Sequence, residues 1–343
     1  MRALLGRRRR RTGPPPAAGA AVMASGIISV GLALTGNDLL SLAALAVAAA
    51  LWLVLAAVFA TRLIVDRDRF RAEADSPSAL TAVAATSVLG ARLSLLGRQG
   101  AAVVLLALAA ALWPGLLYAV LRHWPRSRLP GAVFLVCVAT QGLALLAAVL
   151  SAACHQDWLG SAALAFFGLG LLLYGVALAR FDLREVTGGA GDHWVAGGAL
   201  SISALAGSKL TESPVWTGAG HTVLRTLTLV LLCSSLAWYV VLLAAELRSP
   251  RPRYDIRRWS TVFPLGMTAT ACLSAAAPTG AGWLGPVGEV LLWVAVAAWV
   301  LTFAAFLGAR LGDPRTTWRG RPVAWPTPPV GKSVPPARSS SAA

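Results

Sequence analysis

Ten stretches of mostly apolar residues, separated by short polar breaks, make up most of this chain. They fall at about 18–35, 39–61, 79–97, 100–121, 130–153, 160–180, 192–210, 222–245, 259–277 and 285–309. Most approach the roughly 20 residues a helix needs to cross a bilayer. The seventh, DHWVAGGALSISALAGSKL, is the least apolar and by hydropathy alone reads almost as a loop. Polar residues are not shared evenly among the runs. The odd-numbered ones carry Ser25 and Ser29; Thr81, Thr86, Ser87 and Ser94; Thr140, Gln141 and Ser151; Ser201 and Ser203; and Ser260, Thr261, Thr268, Thr270 and Ser274. The even-numbered ones are mostly Ala, Leu and Val until the eighth.

Glycine also favours the odd runs, with the sixth run an exception. Small residues let helices approach closely, hydroxyls supply polar contacts in a low-dielectric interior, and lipid-facing helices need neither. The pattern predicts an all-α polytopic membrane protein. Its ten transmembrane helices form five helical hairpins around a central pore, with odd helices inside and even helices outside. Hydroxyls that merely glue a solid bundle are the competing reading of the same pattern.

Composition strengthens the membrane assignment. Of 343 residues, 57% are hydrophobic and 13% charged, with a mean hydropathy of +0.68; soluble domains carry roughly 25% charge. The net charge of +16 lies in the segments between apolar runs. It forms no basic face on a soluble domain, so nucleic acid is not an expected partner. Lys and Arg favour the cytoplasmic side of a membrane. With the N-terminus inside, the inner segments hold Arg62, Arg67, Arg69 and Arg71; Arg122, Arg126 and Arg128; Arg180 and Arg184; and Arg248, Arg251, Arg253, Arg257 and Arg258. The outer segments 36–38, 154–159 and 278–283 hold none, and Arg98, Lys209 and Arg225 are the exceptions. This asymmetry predicts a multi-pass protein of the cell (inner or plasma) membrane with both termini cytoplasmic. Residues 1–17 read as a basic cytoplasmic tail, 18–311 as the membrane domain, and 312–343 as a disordered Pro/Ser-rich tail.

Candidate chemistry is sparse. Cys137, Cys154, Cys233 and Cys272 are scattered, and His123, His155, His193 and His221 are isolated, so neither a metal site nor a cofactor is expected. There is no GxSxG, P-loop or HExxH motif, and the GGAG at 188–191 lacks the strand–helix setting of a nucleotide loop. An enzyme is therefore not expected. Acidic residues fall in loops or near run ends, and no odd run carries a carboxylate at mid-membrane. Proton relays and cation sites use such carboxylates. A path lined by hydroxyls and at most a base suits an anion. Arg92 is the base deepest within an odd run, and it either faces the pore or snorkels to the surface.

The stretch RRWSTVFPLGMTATA, from Arg257 to Ala271, is the most distinctive. Pro264 removes a backbone donor, and with Gly266 it predicts a break in the ninth helix. Such a break persists at membrane depth only against protein or a wet cavity, and Phe263 stands beside it. Phe263, Pro264 and Gly266 are the candidate gate. Ser25, Ser29, Thr86, Arg92, Thr140, Ser201 and Thr268 are the candidate pore lining.

MASGIIS at 23–29, VLGARLSLLG at 88–97 and WSTVFPLG at 259–266 occur in that order within the ten-run frame. Together they resemble the tellurite-resistance/dicarboxylate transporter family, which includes plant slow anion channels, yeast malate permeases and sulfite efflux pumps. The resemblance covers about residues 14–311. It departs in the first run, where Ala24-Ser25-Gly26 stands for the family's usual Gly-Thr-Gly. It implies ten helices as five hairpins, inner helices lining a pore, a homotrimer, and a phenylalanine gate on the ninth helix, carried here to Phe263. The implied substrates are small anions: tellurite- or sulfite-type oxyanions, halide or C4-dicarboxylates. A proton-coupled dicarboxylate carrier of the same fold is the alternative, and a polytopic membrane enzyme is a more distant one.

Overall fold

A computed structural model describes residues 18–124, 128–188, 191–249 and 254–312. The basic tail 1–17 and nearly all of the Pro/Ser-rich tail 312–343 lie outside them. Among the described residues ten helices have 15 or more residues. They are α1 (Gly19–Leu34), α2 (Asp38–Val65), α3 (Thr81–Leu95), α4 (Gln99–Arg122), α5 (Leu135–Cys154), α6 (Asp157–Arg180), α7 (Val195–Glu212), α8 (Gly218–Arg248), α9 (Trp259–Ala275) and α10 (Leu284–Gly312). No strand occurs among these residues; the sole β-type pairing is the isolated bridge between Leu129 and Phe181.

Seven helical segments are long and apolar enough to cross a membrane. They are α2, α4, α6, α8 and α10, together with α3 and α5, each extended by the short 3-10 turn before it. Burial divides the seven sharply. The α3 and α5 segments are 78% and 94% buried, whereas α2, α4, α6, α8 and α10 lie between 11% and 33%. α1, α7 and α9 are buried along nearly their whole length. The five buried helices touch in sequence, α1 to α3 to α5 to α7 to α9, and α9 closes the circle on α1. Each outer helix packs on the inner helix before it in the chain. Short links such as 35–37, 96–98 and 155–156 join these pairs, as expected for antiparallel neighbours. The outer helices leave Leu53, Ile64, Val104, Leu172, Val240 and Leu301 exposed. Apolar area on that scale marks a surface in contact with lipid or protein rather than water.

Two bare glycines set how closely the inner ring closes. A Cβ on Gly198 of α7 would stand 2.8 Å from Cγ of Pro264, and one on Gly266 of α9 would stand 3.0 Å from Cγ2 of Ile27. α9 thus packs on α7 through one glycine and on α1 through another.

The expected break in α9 is corrected by the structure. α9 runs unbroken from Trp259 to Ala275 with Pro264 inside it. Proline forfeits only the amide bond that would reach the carbonyl of Ser260, and its ring occupies the space left by Gly198. Pro264 also lies in the second turn of α9, just after the 3-10 turn Ile256–Arg258, where a helix tolerates proline better than at its centre. The positive charge of Arg257 and Arg258 beside a helix N-terminus opposes the dipole, and carboxylates offset it. Arg257 pairs with Asp255 at 3.0 Å and Arg258 with Glu246 at 2.7 Å. Burial pushes the Asp255 carboxyl up, but hydrogen bonds and charge from Arg257 outweigh it and hold the group below the usual carboxylate range.

Candidate functional site

The inner ring leaves a cleft on its axis at the end where α1, α3, α5, α7 and α9 terminate. Its walls are Ile27, Val30 and Leu34 of α1; Val88, Ala91 and Leu95 of α3; Leu145 and Val149 of α5; Leu205 and Lys209 of α7; and Ser274 of α9. The cleft is small, about 30 Å³, and partly open to the surroundings. Every inner helix contributes, which is what a space on the ring axis requires. Nine of the eleven walls are apolar, and Lys209 is the charged one. Its ammonium sits 2.8 Å from Oε2 of Glu212, one turn further along α7. The hydroxyl of Ser274 bonds that of Ser208 at 3.0 Å.

Helical repeat extends these walls away from the cleft. Phe263 precedes Ser274 by 11 residues, about three turns and roughly 16 Å along the same face of α9. Met267 lies between them on that face. By the same repeat Met23 lies below Ile27, Ala84 below Val88, Val138 below Leu145 and Ile202 below Leu205. All six side chains are buried to within 1%. These side chains are buried and apolar, and Phe263 is among the largest fully buried ones in the protein.

The hydroxyls expected on the pore wall are committed elsewhere. Indole N–H groups from outer helices donate to three of them: Trp299 to Ser25, Trp52 to Thr86 and Trp113 to Thr140, each at 2.9 Å. Ser201 of α7 bonds Ser235 of α8 at 2.6 Å and Thr268 of α9 at 2.7 Å. A buried indole N–H needs an acceptor, and these pairs fix outer helices to the inner ring or one inner helix to the next. None of the hydroxyls named here lines the cleft.

Ser29 and Arg92 are brought together, beside the cleft but not on its wall. Arg92 is 3% exposed. Its Nε donates to Oγ of Ser29 at 3.0 Å, and its Nη2 to Oγ of Ser41, on α2, at 2.8 Å. The two serines each donate to the other's carbonyl at 2.7 Å, so their hydroxyl protons are spent and their lone pairs are turned to the guanidinium. No ion pair to Arg92 occurs among the described residues, nor is any Asp or Glu buried there.

Lys209 and Ser274 are the polar cleft residues that pattern-reading missed as site residues. One signal was available for Lys209: with Arg98 and Arg225, it is one of the few bases on the side of the charge pattern that is otherwise poor in them. The wall stripes of Ile, Val, Leu and Ala, spaced three or four residues apart, carried no signal, since such stripes serve ordinary cores equally well.

A family described as SLAC1, voltage-dependent anion channel, matches residues 14–307, most of the chain and all but the last turn of the ring and its outer helices. An uncharacterized membrane protein of Mycobacterium tuberculosis, present in two strains, is 32% identical over 127 residues. That alignment covers 34% of this chain and 62% of the mycobacterial protein, so the chain spans somewhat under two thirds of the relative it matches. With a match extending over all five inner helices, this chain belongs to the voltage-dependent anion channel family.

Proposed function

We propose that this protein conducts small anions across a cell membrane along the axis of its five-helix ring, with Phe263 closing the path. The observation that carries the proposal is the ring itself. Five buried helices surround an axis whose cleft is walled by apolar side chains, one hydroxyl and one ammonium, with no buried carboxylate among the described residues. A cation or proton path at membrane depth is built on such carboxylates. An apolar passage biased by positive charge admits anions and gates by excluding water. One ammonium suits a halide or a singly charged oxyanion better than a dicarboxylate, whose second charge would face Leu and Val walls.

The proposal takes each outer helix with its inner partner as a hairpin and all ten helices as crossings, with both termini cytoplasmic. α1 and α9, with 16 and 17 residues, are short for a lipid-exposed span. Being enclosed by protein, they need not match the full hydrocarbon thickness alone. In this orientation the cleft opens outward, and the N-termini of the inner helices, with their positive dipole ends, face the cytoplasm. Phe263 then lies in the cytoplasmic half. Reporter fusions at positions 38, 157 and 280 should read outside, and fusions at 74, 126, 186 and 253 should read inside. An inverted pair at any two neighbouring positions would refute the ten-crossing arrangement.

The direct test is flux. Purified full-length protein in liposomes should pass nitrate, chloride or sulfite down a gradient faster than protein-free vesicles. The reversal potential in a salt gradient should lie towards the anion's equilibrium value. Cation-selective flux, or none above the lipid background, would overturn the reading.

A further inference from the structure

We propose that Lys209 and Glu212 form an anion-admission site at the open end of the cleft, in which Glu212 occupies the lysine ammonium until an inorganic anion displaces it. The proposal rests on the anion-conduction reading and names the group that first meets the ion. Four observations support it. Lys209 is the charged residue on the cleft wall. Its ammonium is held by both oxygens of Glu212, at 2.8 and 3.1 Å. Both side chains are partly open to the surroundings, the lysine at 20% and the glutamate at 41%. Lastly, the end of the ring they occupy collects the C-termini of α1, α3, α5, α7 and α9.

That last point creates the need for a cation. Helix C-termini carry partial negative charge from unpaired carbonyls, so five of them around one mouth repel an approaching anion. Arg225 offsets part of this from the rim by donating to the carbonyl of Thr279 at 2.7 Å. Lys209 alone places a positive charge on the cleft wall itself. Lys209 lines an otherwise mostly apolar wall with its side chain one-fifth exposed, and long basic side chains at such a boundary lay an apolar stem on the wall and hold the charge towards water.

The Glu212 carboxylate makes the site a competition rather than a fixed trap. Ion pairs with this much exposure are weak, so a free anion at working concentration can take the carboxylate's place on the ammonium. Swinging out on its own side chain, Glu212 remains nearby to recapture Lys209 once the ion moves down the axis. A permeant ion must be held firmly enough to enter and loosely enough to leave, and an internal competitor provides the second condition.

The experiment compares Lys209→Gln, Glu212→Gln, the double variant and Lys209→Arg as full-length protein. Nitrate flux into liposomes is measured against outside concentration, and chloride binding is measured by broadening of the chloride NMR line in detergent. Glu212→Gln should lower the half-saturating anion concentration about three- to fivefold, and Lys209→Gln should raise it by a similar factor. The double variant should match Lys209→Gln, because Glu212 acts only through the ammonium. Lys209→Arg should restore near-normal behaviour. An i,i+3 pair that only finishes a helix would leave both concentration dependences at the wild-type value, and that result overturns the proposal. A Glu212→Gln effect that persists without Lys209 overturns it equally. Wild-type protein that binds chloride through Lys209 yet passes no anion would sustain the site and defeat the conduction reading. Absence of both binding and flux would defeat the two together.

Discussion

Phe263→Ala is expected to raise anion conductance several-fold while the protein folds and inserts as before. The expectation follows from where the ring stands. Phe263 shares a face of α9 with Ser274 of the cleft wall, about three turns away, and it is 1% exposed. The buried residues one or two turns inside the cleft walls on the other inner helices are Met23, Ala84, Val138 and Ile202, all smaller than the phenyl group. As the proposed gate it would close by bulk and by offering no partner to a hydrated ion, and a narrow apolar constriction empties of water besides. Alanine removes most of that volume. A phenylalanine that serves only as core would respond otherwise, since truncation in a packed core costs roughly 3–5 kcal/mol and would reduce the yield of folded protein. Equal amounts of folded wild-type and variant protein in liposomes separate the two roles. Normal folding with conductance no higher than wild type would remove Phe263 from the gate. Phe263→Leu should fall between the two, because it retains an apolar plug of smaller volume.

Much of the architecture was legible from apolar runs and the alternation of hydroxyls. The helix α7 shows where hydropathy alone falls short. Its sequence is rich in Gly, Ser and Ala, and it is not among the helices apolar enough to cross a membrane by composition. It is nonetheless buried along almost its whole length. A helix enclosed by other helices is selected for close approach rather than for solubility in lipid. The charge pattern predicts a span there, where hydropathy barely registers one.

The alternation of hydroxyls located the inner helices but not the faces they turn to the axis. Ser25, Thr86 and Thr140 mark inner helices because indoles of Trp299, Trp52 and Trp113 reach in to them. These tryptophans sit within outer helices rather than at their ends, and nothing local in a Leu- and Ala-rich run says what an indole N–H will meet. Proline misled for a related reason. Pro264 reads as a break because the sequence does not show Gly198 on α7 providing room for its ring. In each case the deciding partner is distant in the chain, so periodicity could not supply it.

Arg92 offers the second large effect, because its charge and its structural role can be removed separately. The guanidinium joins α3 to α1 and α2 through Ser29 and Ser41, and the Asp38 carboxylate acts on it through charge without a direct ion pair among the described residues. Buried charge without hydrogen-bond acceptors is costly, while an apolar side chain of similar volume in its place is often neutral or better. Arg92→Met is therefore expected to fold well. Ser29→Ala combined with Ser41→Ala keeps the charge and strips its acceptors, and should cost about 3–5 kcal/mol of stability. Permeation should respond in the opposite order. An ion in the cleft about one helix diameter away, roughly 10 Å, would feel about 1.7 kcal/mol from one charge at an effective dielectric of about 20. That is more than tenfold in anion occupancy, so Arg92→Met should lose much of its anion-over-cation selectivity. The folded fraction of the serine double variant should keep its selectivity. Thermal unfolding of the purified proteins reads the first comparison, and reversal potentials in matched salt gradients read the second. An unchanged reversal potential in Arg92→Met would confine Arg92 to clamping three helices together and leave Lys209 as the source of positive potential at the cleft.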